Sequence, residues 1–250
     1  MGKLDGRVAV ITGGGRGLGK VFSIGLAAEG ARILAATNET AGLDETIQEV
    51  RQMGTEGESI MMDVTSEEET ERMAKYAMDR FGRIDILINN AAYYYGLQRK
   101  PFYEIAPDEW DAVMRVNVKG IWLATKAVYP YMKKAGKGHV VNLASEVFFT
   151  GSHGFAHYVA TKGAVVGLTR ALAVELGPDR ICVNAIAPGF TDTEASRTIA
   201  DVNRYDVSRT PLGRLGTSED LVGMAVYLSS DASDFVTGQT ILVDGGRAMH

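Results

Sequence analysis

The chain has 250 residues, including 29 glycines and six prolines, and its formal net charge is -5 at pH 7. This length suits one α/β domain or two small ones, and an apolar fraction of 46% is sufficient for a full-sized core. Acidic and basic residues are scattered along the chain, which excludes a nucleic-acid-binding protein because such a protein needs a clustered basic face.

The N-terminal segment is polar, and the apolar run that follows it, Val8 to Ile11, is too short for a signal peptide or a membrane span. We therefore expect a cytoplasmic protein with no membrane partner. Cys182 is the only cysteine, so no intramolecular disulfide can form, and its apolar neighbours indicate a small buried side chain. The sequence has no cluster of Cys, His and acidic residues at the spacing of metal ligands, so we expect no catalytic metal.

Short apolar runs alternate with helical patterns along almost the whole chain. Nearly continuous apolar strands are typical of a parallel sheet that is covered on both faces, and short connections favour right-handed crossovers. The sequence therefore predicts a single-domain, Rossmann-type α/β fold over residues 1–250, a doubly wound parallel sheet with helices on both faces. The predicted strands are Val8–Thr12, Arg32–Thr37, Glu58–Met62, Ile84–Asn89, Gly138–Ala144, Ile181–Ile186 and Thr240–Val243.

Several of the intervening helices have recognisable ends. Ser66 with Glu69 predicts a capping box for a helix that Gly82 ends, and Thr217 with Asp220 predicts the start of the last helix. Likewise, Pro107 opens one helix and Gly177-Pro178 ends another. The stretch from Pro188 to Gly216 is polar and too long for an ordinary connection, so we expect it to be a lid over a substrate.

The first strand leads directly into the glycine-rich segment from Thr12 to Gly19, and a helical pattern follows. Gly13, Gly17 and Gly19 are spaced for a tight turn, a close approach to a pyrophosphate and close packing of helix against strand. The N-terminus of the helix then presents free N–H groups to the phosphates. A structural turn is the alternative, but this position in a doubly wound sheet favours cofactor binding.

The glycine segment has the form T-G-x-x-x-G-x-G, and it resembles that of the short-chain dehydrogenase/reductase family. The resemblance extends along the whole chain. Asn89-Asn90-Ala91 resembles the family's N-N-A-G segment, with Ala92 in place of the glycine, and Pro188-Gly189 with Thr193 resembles its nicotinamide-binding motif. Further matches are Asp63-Val64, Thr237-Gly238-Gln239 and the segment from Val243 to Gly246.

This resemblance implies a nicotinamide dinucleotide cofactor and a set of residues that hold it. NAD enzymes usually carry an acid at the end of the second strand, where this chain has Thr37 followed by Asn38 and Glu39. Arg16 could reach a 2′-phosphate, so we favour NADP and leave NAD open. The alternative for Arg16 is a solvated loop residue that does not contact the cofactor. The implied cofactor residues are Gly13, Gly15, Arg16, Gly17, Leu18, Gly19, Thr37, Asn38, Asp63, Val64, Asn90, Ala91, Tyr158, Lys162, Pro188, Gly189, Thr191 and Thr193.

The predicted catalytic residues are Asn117, Ser145, Tyr158 and Lys162. Tyr158 and Lys162 are four residues apart on a predicted helix, so their side chains face the same way. A free phenol has a pKa of about 10, and a neighbouring ammonium would lower the pKa of Tyr158 so that it can exchange a proton with the substrate oxygen. Ser145 can donate a hydrogen bond to that oxygen. The resemblance adds that Lys162 holds the nicotinamide ribose and that Asn117 anchors a proton-relaying water.

Aromatic residues lie next to these groups in the sequence: Tyr93-Tyr94-Tyr95 follow the fourth strand, Phe148-Phe149 follow Ser145, and Phe155 precedes Tyr158. They predict a small apolar or aromatic substrate, although each ring could instead pack under the lid or at a subunit contact. His153 and His157 are better explained as structural. The helix from Tyr158 to Leu176 is apolar on more than one face, which predicts a homotetramer or homodimer.

Other functions stay open. A 3-oxoacyl-carrier-protein reductase would dock an acidic carrier, and the basic residues Arg197, Arg204, Arg209 and Arg214 lie in the predicted lid. Sugar or steroid substrates also remain open. A non-catalytic nucleotide-binding sensor or scaffold on the same fold would be expected to lack part of the catalytic set, which is complete here.

Overall fold

Residues 2–249 are described by a computed structural model of the chain. Its centre is a seven-stranded sheet in the order β3-β2-β1-β4-β5-β6-β7, in which every neighbouring pair is parallel. This arrangement confirms the predicted doubly wound fold. The strands are β1 Val8–Thr12, β2 Arg32–Thr37, β3 Gly57–Met61, β4 Ile86–Asn89, β5 Gly138–Leu143, β6 Ile181–Pro188 and β7 Thr240–Val243.

Helices cover both faces of the sheet, and alternate residues of each strand serve the two cores. Val8 and Val10 point toward a core shared with α3, α5 and α7, whereas Ala9 and Ile11 point toward a core shared with α1 and α9. Burial on both faces explains why these strands are apolar throughout. The helices are α1 Gly17–Ala28, α2 Leu43–Gln52, α3 Glu67–Phe81, α4 Pro107–Met114, α5 Gly120–Ala135, α6 Val147–Thr150, α7 Ala156–Leu176, α8 Glu194–Arg197 and α9 Val222–Leu228.

Four strands differ from the prediction in their bounds, because the ladder partner sets where a strand begins and ends. β3 is shifted by one residue, since Gly57 pairs with Ile33 of β2. β4 begins only at Ile86, β5 ends at Leu143, and β6 runs on to Pro188, which pairs with Val243 of β7. Proline is tolerated there because it lies at the strand end, where its missing N–H breaks no interior bond.

The helix ends largely follow the prediction. Ser66 Oγ accepts a hydrogen bond from the Glu69 N–H, and Gly82 ends α3 with a left-handed backbone. The prediction of a complete capping box is wrong, because the Glu69 carboxylate accepts from the N–H of Asp63 instead of the N–H of Ser66. A complete capping box forms at α8, between Thr193 and Ser196, where none was predicted.

The predicted lid contains more structure than a plain loop. It includes α8 and a 3₁₀ turn at Val202–Arg204, and its two ends are tied by a parallel bridge between Thr191 and Gly216.

Within residues 2–249, none of the helices combines the length and apolarity that crossing a bilayer requires.

Candidate active site

A cavity of about 590 Å³ runs along the carboxyl edge of the sheet, past the ends of β1, β2, β4, β5 and β6. Most of the residues that the sequence predicted for cofactor binding and catalysis line this cavity. Of the predicted set, only Gly15, Gly19 and Asn117 do not line it. The predicted residues that line it are Gly13, Arg16, Gly17, Leu18, Thr37, Asn38, Asp63, Val64, Asn90, Ala91, Ser145, Tyr158, Lys162, Pro188, Gly189, Thr191 and Thr193.

The glycine segment forms a tight turn into α1. Gly13 and Gly17 have φ of +64° and +52°, values that favour glycine, and the Gly13 N–H donates to Ala36 O at 2.7 Å. A Cβ on Gly19 would lie 2.0 Å from Gly13 O, so no larger residue fits there. The turn thus leaves the unpaired N–H groups of α1 at the cavity, where a pyrophosphate would fit.

Thr12 and Asn90 hold the turn against the end of β4. Thr12 Oγ1 accepts hydrogen bonds from the N–H groups of Asn90 and Ala91, each at 3.1 Å. In return, Asn90 Nδ2 donates to the carbonyls of Thr12 and Gly13 at 3.0 and 3.1 Å. Asn90 therefore positions the glycine turn itself.

Beyond the turn lies the end of the cavity where the adenosine ribose would bind. Thr37 is buried at the end of β2, and its Oγ1 accepts from the Glu39 N–H at 3.2 Å. Arg16 forms an ion pair with Glu39 at 2.9 Å, and its guanidinium lies 4.6 Å from the centre of the Tyr95 ring. Arg16 thus pairs with Glu39 while 37% of its side chain is exposed, and Glu39 competes for the group that a 2′-phosphate would need.

At the centre of the cavity, α7 places Tyr158 and Lys162 side by side, with Lys162 Nζ 5.3 Å from the centre of the Tyr158 ring. Lys162 Nζ donates to Leu143 O at 2.7 Å, which fixes the ammonium at the end of β5. Burial lowers the pKa of Lys162 to about 8, so its charged form still predominates at neutral pH.

The phenol of Tyr158 behaves differently from the prediction. Burial, the largest effect, raises its pKa above the ordinary value, while a hydrogen bond with Ser145 acts in the opposite direction. The expected lowering of this pKa by Lys162 is not seen. A phenol with a raised pKa is protonated at neutral pH, which is the state that a proton donor needs.

Asn117 lies behind the cavity in a π-helical turn, Arg115–Lys119, between α4 and α5. Its Oδ1 accepts from the Tyr93 N–H at 2.7 Å, and its Nδ2 donates to Thr161 Oγ1 at 3.4 Å. Single π-helical turns are frequent at functional sites. Asn117 therefore links the loop after β4 to the helix that carries Tyr158.

Aromatic rings surround the other end of the cavity. The Tyr94 and Phe155 rings lie 5.0 and 6.0 Å from the Tyr158 ring, and Phe190 stacks on Tyr205 at 4.2 Å. Sequence reasoning missed Phe190 and Tyr205, because only the folded path of the lid brings them to this end. Of the predicted aromatic set, Tyr93, Tyr94, Tyr95 and Phe155 line the cavity.

Other predicted pocket groups lie elsewhere. Phe148 and Phe149 do not line the cavity; they contact each other at 5.0 Å, and Phe149 packs against a separate apolar cluster. His153 is exposed, and His157 is fully buried with Nε2 3.2 Å from Glu109. Both histidines are thus outside the pocket, as the structural interpretation expected.

One group of potential metal ligands, His139, Asp231 and Asp234, lies far from this cavity at the opposite edge of the sheet. Both carboxylates already pair with Lys137, and Asp231 also pairs with Arg7. Burial lowers the pKa of His139 to about 4. Cations of the protein thus occupy this group.

Comparisons with known proteins agree with the geometry. A family described as Enoyl-(Acyl carrier protein) reductase matches residues 13–248. The 3-oxoacyl-[acyl-carrier-protein] reductase FabG of Thermotoga maritima is 36% identical over 246 residues, which cover 98% of both chains.

Solved structures give the same result. A 3-ketoacyl-(acyl-carrier-protein) reductase of Brucella melitensis in complex with NADH superposes with a TM-score of 0.91 at 32% identity, covering 98% of this chain and 100% of that one. A candidate 2-deoxy-D-gluconate 3-dehydrogenase of Agrobacterium tumefaciens with bound NADP superposes with a TM-score of 0.88 at 37% identity, covering 98% and 97%.

Proposed function

The chain belongs to the short-chain dehydrogenase/reductase family of NAD(P)-dependent oxidoreductases, and from this premise we propose how its cavity works. A hydride passes between the cofactor and a small alcohol or ketone, with Tyr158 as general acid or base. The observation that carries the proposal is the convergence of Ser145, Tyr158 and Lys162 in one cavity with the glycine turn. We take residues 1–250 as a single cofactor-binding domain with a lid at 188–216.

Each group then has a defined task. The bound nicotinamide supplies or accepts the hydride. Ser145 donates a hydrogen bond to the substrate oxygen as negative charge develops there, and Tyr158 delivers the proton. The ammonium of Lys162 stabilises the phenolate that Tyr158 becomes and holds the nicotinamide ribose. In alcohol oxidation Tyr158 acts as the base, and Asn117 holds the water that relays the proton to solvent.

The fit of a dinucleotide rests on the glycine turn. The N–H groups at the start of α1 would hold the pyrophosphate, with Leu18, Thr191 and Thr193 beside it. Asp63 and Val64 would contact the adenine, and Asn90, Ala91, Pro188 and Gly189 would border the ribose and nicotinamide. Gly15 supports the turn from behind, where a Cβ would lie 3.3 Å from Leu43.

The proposed reaction predicts that the purified protein oxidises NADPH when a small aromatic or apolar ketone is added. The loss of reduced-cofactor absorbance measures the rate, and mass spectrometry of the alcohol identifies the product. A Ser145→Ala variant should be slower by about 10²- to 10³-fold, because it lacks the donor to the developing oxyanion. If cofactor binds but no ketone or alcohol in a broad panel reacts, the proposal is wrong.

The choice of cofactor depends on the pair formed by Arg16 and Glu39. We infer that NADP is favoured, because Thr37 replaces the usual acid and Arg16 can leave Glu39 for a 2′-phosphate. Arg16→Ala should then weaken NADPH binding by about 10- to 100-fold more than NADH binding, the value of a charged hydrogen bond. Glu39→Gln should act oppositely and strengthen NADPH. Fluorescence titration measures both, and an equal loss for the two cofactors in Arg16→Ala would refute this role.

The carrier-protein alternative receives less support from the lid. Arg197, Arg204 and Arg214 each form an ion pair with a nearby aspartate, which reduces the positive surface available to an acidic carrier. This second function stays open, because a relative that is 36% identical is named a 3-oxoacyl-[acyl-carrier-protein] reductase. The sensor or scaffold hypothesis is wrong, because the chain is an oxidoreductase.

We also propose that the protein forms a homodimer or homotetramer through α7. One side of this helix is buried against the sheet, while Val174 on the other side is 79% exposed and has exposed neighbours in Gly167 and Ala171. An exposed apolar helix face of this kind is typical of a subunit contact.

The cytoplasmic location of the protein stays a prediction.

A further inference from the structure

Three arginines line the cavity, and two of them lie over aromatic rings that also line it, Arg99 over Phe155 and Arg247 over Tyr205. They are Arg99 from the loop after β4, Arg209 from the lid and Arg247 from the C-terminal segment. Three separate parts of the chain thus contribute a positive charge to one cavity.

None of these three arginines forms an ion pair within the part of the chain that the structure describes. The contrast with the rest of the lid is clear, because Arg197, Arg204 and Arg214 each pair with an aspartate. Arg16, which also lines the cavity, pairs with Glu39. Among the described arginines that line the cavity or lie in the lid, these three alone have no carboxylate within ion-pair distance, although Asp206 interacts electrostatically with Arg209 and Arg247.

Neutral groups hold two of these arginines in place. Arg99 Nη1 donates to Ser152 Oγ and His153 O, and its guanidinium lies 4.4 Å from the centre of the Phe155 ring. Arg247 behaves similarly: its Nη1 donates to Asp206 O, and its guanidinium lies 5.2 Å from the centre of the Tyr205 ring. Since only Nη1 is engaged in each case, Nε and Nη2 keep donors for a ligand.

Nearby acids compensate this charge only in part. Among the acids that line the cavity, Glu39 and Asp63 lie at the cofactor end, and Glu146 interacts electrostatically with Arg247. The Asp206 carboxylate, which is not among the lining groups, interacts electrostatically with Arg209 and Arg247. Glu146 is 4% exposed, its carboxylate accepts from Thr150 Oγ1 at 2.6 Å, and burial raises its pKa. The charges of Arg99 and Arg247 both act on the phenol of Tyr205, which places them around a common region.

We propose that the substrate carries a carboxylate in addition to its alcohol or ketone, and that Arg99, Arg209 and Arg247 bind this carboxylate beside the aromatic wall. The guanidinium group matches a carboxylate with two parallel hydrogen bonds, and an aromatic face keeps the guanidinium plane in position. An apolar or aromatic oxo acid satisfies both the rings and the charges. This inference rests on the proposed function and specifies its substrate class.

The test compares oxo acids with their methyl esters, which keep the ketone but lose the charge. Laevulinate and benzoylpropionate, each with its methyl ester, provide an aliphatic and an aromatic pair. We expect kcat/KM to be about 10- to 100-fold higher for each acid than for its ester, the range for hydrogen bonds to a charged group. In Arg99→Gln and Arg247→Gln the ratio of kcat/KM for the acid to that for its ester should fall close to one.

Two controls separate this role from others. Arg204→Gln removes a lid arginine that pairs with Asp201 outside the cavity, and it should keep the preference for acids. NADPH affinity should be unchanged in Arg99→Gln and Arg247→Gln; a matching loss would mean that these arginines hold cofactor phosphate, which contradicts the proposal. Benzoylpropionyl-coenzyme A tests the other source of anionic charge, and an arginine-dependent preference for it over the free acid would also contradict the proposal.

The remaining outcomes are distinct. Equal rates with acids and esters in the unmodified protein would overturn the carboxylate site while leaving the proposed function intact. If no compound reacted, the proposed function would be in doubt, and calorimetric binding of benzoylpropionate to the NADPH complex would decide the carboxylate site separately. Binding that weakens in Arg247→Gln supports the site, and binding that does not weaken, or is absent, refutes it.

Discussion

Tyr158→Phe is expected to lower kcat for ketone reduction by about 10²- to 10⁴-fold, the usual contribution of a general acid. The variant keeps the aromatic ring, so its contacts with Tyr94 and Phe155 remain. Only the hydroxyl that can deliver a proton is lost, together with its hydrogen bond to Ser145. Steady-state kinetics with any accepted ketone measures the effect.

Folding and cofactor binding should be almost unaffected by this change. Loss of one hydrogen bond lowers the free energy of unfolding by about 0.5–1.5 kcal/mol, and the affinity for NADPH should stay within about a factor of three. Activity near that of the unmodified protein would remove Tyr158 from the mechanism. A large loss of cofactor affinity or of thermal stability would instead assign the residue a structural role.

Gly19→Ala is expected to weaken both NADPH and NADH binding by about 10- to 100-fold. The new Cβ would lie 2.0 Å from Gly13 O and 2.7 Å from Asn90 Nδ2, so the glycine turn must move. Overpacking of this kind costs about 1–3 kcal/mol, which corresponds to that range of affinity if the strain is released by displacing the turn. Fluorescence titration measures the affinities, and denaturant unfolding measures the free energy of unfolding.

Gly223→Ala is the matched control for this change. Gly223 is also helical, in α9, but a Cβ there has nothing within 4 Å. The free energy of unfolding of the Gly223→Ala variant should differ from that of the unmodified protein by less than about 1 kcal/mol, and its cofactor affinity should be unchanged. If Gly19→Ala also behaved in this way, the turn would not be the phosphate-binding element.

The fold was predictable because its local signals agree with one another. β1, β2 and β7 have the predicted bounds, and Gly82 ends α3 as predicted. Boundaries were missed where a partner on another strand decides them, as with Gly57 opposite Ile33. Ile84 is buried like a strand residue, yet it lies before the ladder of β4 begins.

The candidate site was predictable where one motif lies on one element. Tyr158 and Lys162 share a helix, and the glycine turn is continuous in sequence. In contrast, Arg99, Arg209 and Arg247 come from three distant segments, and no spacing connects them. The pKa of Tyr158 was also misjudged, because the sequence shows a neighbouring lysine but does not show that both groups are buried.

The most direct test of the central claim is a fluorescence titration of the purified protein with NADPH and, separately, with NADH. We predict saturable binding of both cofactors, with the tighter binding for NADPH. Tighter binding of NADH would reverse the inference about Arg16 and Thr37 and leave the oxidoreductase function in place. Failure of both cofactors to bind would contradict the account as a whole.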